Sequence, residues 1–146
     1  TNAYDDPNII INYPINTPAE GEIMMNRPLY HNLMQNDKYF ARYHEHFDMF
    51  ISEYFESGRF EETLAQTEQM IAPYVQKDPT SFCSYEDHKL AVDTLKSVCL
   101  LRAESVRGQL EGYFPSTLQQ QLHMDAGVDA SEIKLTDLGD FDDLSS

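Results

Sequence analysis

Tryptophan is absent from the 146 residues, lysine and arginine together number only 10, and cysteine occurs twice. Each shortage narrows the field. Without tryptophan, nine tyrosines and eight phenylalanines must supply the large aromatic packing. With 25 acids against 10 bases the formal charge is −15, the wrong sign for nucleic acid or an anionic membrane, both of which are bound by clustered cations that displace counterions. No apolar run approaches the roughly 20 residues of a membrane-spanning helix. No basic stretch followed by an apolar one opens the chain either, so no membrane span and no targeting segment are expected within it. Self-similarity at a period of about 20 to 50 residues is also missing, which sets repeat architectures aside.

The two cysteines, Cys83 and Cys99, invite a disulfide. If one helix runs through both, they stand about 24 Å apart, far beyond the roughly 7 Å between bridged Cα atoms. Both are therefore expected as free thiols, with Cys99 packing as a small apolar side chain.

What is present is helical periodicity. The longest uninterrupted stretch, SYEDHKLAVDTLKSVCLLRAESVRGQLE from Ser84 to Glu111, contains no proline and a single glycine. Ser84 followed by Asp87 predicts a capping box. Val92, Leu95, Cys99 and Val106, widened by Val98 and Leu101, form an apolar stripe, and Gly112 supplies a left-handed stop. This stretch is expected to be the central helix. Before it, Asn26, Arg27 and Pro28 predict the start of a short helix to about Gln35, and Asp37 is expected to cap the next. In that next helix Phe40, Tyr43, Phe47, Phe50, Ile51, Tyr54 and Phe55 recur at helical spacing as far as Gly58 and predict a core face. A further helix begins near Arg59, with Phe60, Leu64, Ile71 and Val75 inward and a kink or restart expected at Pro73.

The chain divides into residues 1–26, an extended N-terminal arm in which Ile9, Ile10 and Ile11 lie along the helices; residues 27–123, a helical domain; and residues 124–146, an acidic tail packed on it. From Asp125 to Ser146 the tail holds seven acids and one lysine. Leu135, Leu138, Phe141 and Leu144 interleave with them and give the tail something to dock with, and Ser131 to Leu135 shows strand-like alternation. The expected fold is all-α: an irregular bundle of about four main helices, an extended arm and a docked acidic tail.

Motifs for chemistry are sparse. In Tyr43-His44-Glu45-His46 the two histidines are about 200° apart on a helix and cannot share an ion, so a metal-dependent enzyme built on them is disfavoured. Asp137-Leu138-Gly139 superficially matches the metal-binding tripeptide of kinases, but no glycine-rich loop, strand lysine or His-Arg-Asp precedes it. Adjacent acids such as Glu61 and Glu62, or Asp142 and Asp143, are ordinary in so acidic a chain. No catalytic, cofactor-binding or metal-ligating residue is assigned. Arg102 and Arg107 are the candidates for a partner or tail contact, since guanidinium groups grip carboxylates or phosphates bidentately; ion pairing within the domain, with Glu104 and its neighbours, is the alternative.

Five phrases in order, INYPINTP (11–18), RPLYHNLMQNDKYFARYHEHF (27–47), YFESGRFEETL (54–64), IAPYVQKDPTSF (71–82) and LRAESVRGQL (101–110), followed by SEIKLTDLG (131–139), resemble the C-terminal part of the CotH kinase family, related to spore coat protein H. The resemblance covers most of residues 11 to 112. It implies a parent that phosphorylates proteins with ATP and a divalent metal, in a secreted, cell-surface or spore-coat location, and that ends in a helical lobe. The family's Asp-x-Asp metal motif and nucleotide-contacting lysine lie upstream of the INYPINTP-like phrase. Asp5-Asp6 lacks the spacing, so no catalytic residue carries over. The implied role is a helical lobe, inactive alone, that buttresses the upstream catalytic half of the same protein or docks a protein substrate. A stand-alone helical protein-interaction module is the alternative.

Overall fold

A computed structural model of the chain describes residues 6–17 and 27–139. The fold is all-α, and no strand occurs among the described residues. In chain order the elements are α1 (Pro7–Ile11), α2 (Pro28–Met34), α3 (Asp37–Phe50), a π-helical segment (Ile51–Glu56), α4 (Arg59–Val75), α5 (Tyr85–Leu110), α6 (Leu118–Gln121) and a 3₁₀ turn (Leu135–Leu138).

α5 is the central helix. Its start is the expected capping box: the Ser84 hydroxyl accepts from the Asp87 amide at 3.1 Å while the Asp87 carboxylate accepts from the Ser84 amide at 3.2 Å. Its end is set by Gly112, whose φ of 80° turns the chain left-handed. The Tyr113 and Gly112 amides then reach back to the Gly108 and Gln109 carbonyls, satisfying two groups that a helix end leaves unpaired. This reversal lays the Phe114 ring directly on Gly108, where a Cβ would stand 2.2 Å from the ring.

α5 packs against α1, α3, the π segment, α4 and the 3₁₀ turn, but its burial is uneven. Thr94 is buried, and then Ala103, Ser105, Val106, Gly108 and Gln109. The expected stripe is correct at Val106 and fails at Leu95, which is 43% exposed. The positions that close the core are small or polar because the arm and the tail come close to the helix backbone there. Two apolar clusters result. One joins Ile15, Ile51, Ala103 and Val106, with Phe47, Phe55 and Leu110 against them. The other joins Ile11, Val128 and Ala130, with Leu101, Phe114 and Ile133.

Several local expectations are corrected. The arm is not extended throughout, since residues 7–11 form a helical turn capped by the Asp6 carboxylate. Of its three consecutive isoleucines only Ile11 is buried, and Ile9 is exposed. The cap of α3 is the Asn36 side chain, which accepts from Lys38 and Tyr39 amides, rather than Asp37. Asn26, the expected cap of α2, lies outside the described residues. α4 continues through Pro73 to Val75 instead of restarting. Ser131–Leu135 forms a turn leading into the 3₁₀ turn, not a strand. The tail docks on α5 as far as it is described; Phe141 and Leu144 lie outside the described residues.

The aromatic stripe divides at Ile51. There the helix widens so that the Ser57 amide reaches the Ser52 carbonyl at 3.1 Å, five residues back. Phe47, Ile51 and Phe55 pack on the core, whereas Phe50 is exposed. Phe50, Tyr54, Phe55 and Phe60 instead form a contiguous ring cluster with centroid separations of 5.0 to 6.0 Å.

Candidate functional site

The densest polar chemistry surrounds the arm. Residues 11–17 leave α1 without a neighbouring strand to pair with, so their main-chain groups need other partners. Side chains of the helical domain supply them. Arg102 Nη1 donates to the Ile11 carbonyl at 2.9 Å and to the Tyr13 carbonyl at 2.5 Å. The Gln109 carboxamide accepts from the Ile15 amide at 2.9 Å and donates to the Tyr13 carbonyl at 3.3 Å. From α3, the Tyr43 hydroxyl donates to the Ile15 carbonyl at 2.5 Å, and from α2 the Tyr30 hydroxyl donates to the Asn16 carbonyl at 3.1 Å.

Asparagine side chains of the arm answer back. Asn16 pairs with His44 Nε2 at 2.7 Å and with the Ser116 hydroxyl at 2.9 Å, while its amide donates to the Ser116 carbonyl. The Thr17 hydroxyl accepts from the Leu118 amide at 2.8 Å and so fixes the start of α6. Asn12 uses its whole carboxamide: the nitrogen donates to the Asn8 and Val128 carbonyls, and the oxygen accepts from the Val128 amide and the Ser105 hydroxyl. Every hydrogen-bonding capacity of that group is used.

Burial sets the electrostatics of this clamp. Desolvation pushes the Tyr43 phenol up to about 12, with the adjacent Tyr30 adding to the rise and the Arg102 guanidinium opposing it. Tyr30 is raised for the same reason. Burial lowers His44 from its ordinary value, favouring the neutral ring. It also lowers Arg102, although a guanidinium remains charged at any working pH.

Arg102 and Arg107 serve different elements, as expected for residues about 140° apart around a helix. Arg102 holds the arm. Arg107 is fastened to α3 and the π segment: Nε and Nη2 reach the two Glu56 oxygens at 2.7 and 3.1 Å, Nη1 reaches Asp48, and Nη2 also meets the Ser52 hydroxyl at 3.0 Å. Glu56 first and Asp48 second hold its guanidinium well above its ordinary range. Glu104 is exposed on another face.

Elsewhere, His44 is committed to Asn16 while His46 is exposed. Among the described residues no group of three or more His, Cys, Asp or Glu side chains is placed to hold a metal ion. Asp137-Leu138-Gly139 closes the 3₁₀ turn, with Gly139 at φ 113°. Cys83 and Cys99 are both free, and burial raises the Cys99 thiol. No helix of the described residues is long and apolar enough to cross a membrane.

Sequence reading did not single out Gln109, Ser105, Asn12 or Asn16. A signal for the first two was present: polar residues four apart on a core-facing stretch of helix mark a buried network rather than a packing seam.

Comparison with curated proteins and with solved structures gave no match. The model of the CotH kinase protein family matches residues 11–106, from the first buried residue of the arm to the last buried aliphatic residue of α5. That span is well over half of the sequence, and the chain belongs to the CotH kinase protein family.

Proposed function

We propose that this chain is the helical C-terminal lobe of a CotH-type protein kinase, inactive alone, which buttresses the upstream catalytic half of the same protein or docks its protein substrate. The observation that carries this reading is the span of the family match, which begins inside the clamped arm and runs past Arg102 to Val106 of α5. The arm from Ile11 onward and its partners Tyr30, Tyr43 and Arg102 thus lie within the matched span, whereas Gln109, Ser116 and Val128 lie beyond it. In this reading residues 11–17 are the joint between the two halves, and the clamp fixes the direction in which the chain comes from the upstream half.

Phosphoryl transfer needs a cradle for phosphates, carboxylates for the metal and a positioned acceptor. Two observations support the reading: among the described residues no three metal-ligating side chains converge, and Arg102 and Arg107, the cations that could meet phosphate, are engaged by carbonyls and carboxylates. The reading therefore assigns ATP and its divalent metal to residues upstream of this chain, and places the parent at the spore coat or another surface.

Contacts beyond the lobe have apolar surface available. Leu29, Met70, Tyr74 and Phe82 are each more than half exposed, and a groove between Phe82, His88 and Leu90 on one side and Thr136 and Leu138 on the other lies beside α5. Such surface also suits a stand-alone interaction module. Calorimetric titration decides between them. The chain should give no heat with Mg-ATP and should bind the separately produced upstream half. Micromolar affinity for Mg-ATP would overturn the inactive-lobe reading, and no binding to the upstream half would favour the stand-alone module.

A further inference from the structure

The arm is held in the manner of a bound peptide. Beyond α1 its main chain bonds outward, from the Tyr13, Ile15 and Asn16 carbonyls and the Ile15 and Asn16 amides to groups on α2, α3, α5 and the loop before α6. Two of its side chains enter separate sockets. Ile11 is fully buried against Val128 and Ala130, and Ile15 is 2% exposed against Ile51, Ala103 and Val106. Main-chain hydrogen bonds supplying affinity, with pockets at a fixed spacing supplying selectivity, are the two parts of a peptide-recognition site.

We propose that the face of the helical domain holding residues 11–17 is a peptide-binding groove, filled in this chain by its own arm. Its ligand class is a main chain that leaves a helical turn at its first anchor and runs on irregularly, carrying aliphatic side chains four positions apart with a carboxamide following the second. Arg102 and Gln109 read the main chain, the two clusters take the aliphatic groups, and His44 with Ser116 reads the carboxamide of Asn16. The inference concerns binding alone and stands whatever the parent protein catalyses. Covalently, the arm joins the domain through residues 18–26, so cutting there converts an intramolecular ligand into an exchangeable one.

The test uses the full chain with a specific protease site replacing residues 19–25, folded intact and cut afterwards. The cut protein should keep its helical circular dichroism, retain the arm on gel filtration, and exchange it for an excess of fluorescein-labelled peptide of residues 6–17. A peptide with Ile15→Asp should compete at least about a hundredfold less well. Arg102→Met in the domain should weaken the labelled peptide by about tenfold. Loss of the helical signal on cutting, or a mutant peptide competing as well as the native one, would overturn the proposal.

Hydrogen exchange on the uncut chain provides a second reading. The Ile15 and Asn16 amides should exchange through an opening that leaves Val106 and Gln109 protected. Identical opening of all four would show the arm to be an inseparable part of the core and would end the proposal.

Discussion

The side-chain amide of Asn12 pairs with both main-chain polar groups of Val128, donating to its carbonyl at 2.8 Å and accepting from its amide at 2.9 Å. One asparagine thereby does for two distant segments what a rung of a sheet does for adjacent strands. The pairing joins arm to tail across 116 residues of sequence and lies over Ser105 of α5.

Asn12→Asp replaces the two donors with a carboxylate oxygen facing the Val128 and Asn8 carbonyls. The variant should lose about 3 kcal/mol at neutral pH, because two acceptors lose their donor and a charge is set against them. Urea unfolding followed by circular dichroism measures it; a loss under about 1 kcal/mol would mean that arm and tail are not joined through this group.

Gly108→Ala should destabilise despite the better helix propensity of alanine. The gain of about 1 kcal/mol is outweighed by a Cβ set 2.2 Å from Cδ2 of the Phe114 ring, with overpacking typically costing about 1–3 kcal/mol. Combining it with Phe114→Leu should restore more stability than the single variants predict by addition. Strict additivity of the two thermal shifts would contradict the contact.

Removing the Arg107 head as Arg107→Met leaves Asp48 and Glu56 side by side without their cation. Since both carboxylates are at least half exposed, solvent screening limits the loss to about 1–2 kcal/mol. The difference from wild type should shrink in 1 M salt. Equal unfolding midpoints for wild type and variant at low salt would show the contact to be energetically idle.

Alkaline titration addresses the arm from another direction. The Tyr43 pKa lies near 12 when folded and near its ordinary value of about 10 when unfolded. Its contribution is therefore fully present below pH 10 and is lost as the pH rises towards 12. Ultraviolet absorbance of the phenolates should show a late step, above the ordinary tyrosine range, to which Tyr43 and Tyr30 contribute. Tyr43→Phe should diminish the later step, leaving the part that Tyr30 contributes, and should flatten the fall in stability between pH 10 and 12. Titration of Tyr43 at the ordinary tyrosine value, read as the difference between wild type and Tyr43→Phe, would contradict the buried hydroxyl.

Much of the helical framework was legible in local chemistry. The Ser84–Asp87 box, the stop at Gly112 and the turn at Gly58 are short-range signals, and the coordinates place each where its residues suggest. The clamp was less legible because its logic is long-range. Arg102 stands in the sequence as a candidate contact for a partner or the tail, and only the fold lays the arm across it, while Asn12 and Asn16 carry no local signal until Val128 and Ser116 are brought to them. The aromatic stripe misled at Phe50, which its spacing placed with Phe47 and Ile51 on the core face but which is exposed, whereas Phe47, Ile51 and Phe55, each four residues on, pack on the core. Leu95 is exposed because α4, its neighbour across the hairpin, contributes no buried residue.

The lopsided burial along α5 has a mechanical consequence. Its last two turns hold every buried residue of the helix but Thr94, whereas its first three turns meet α4 through the exposed Lys96–Glu61 pair at 2.8 Å and the tail's 3₁₀ turn across an open groove. Buried contacts set how strongly a helix resists local opening, so heat applied to this molecule should loosen the residue 85 end of α5, with the tail turn docked there, before the end that holds the arm.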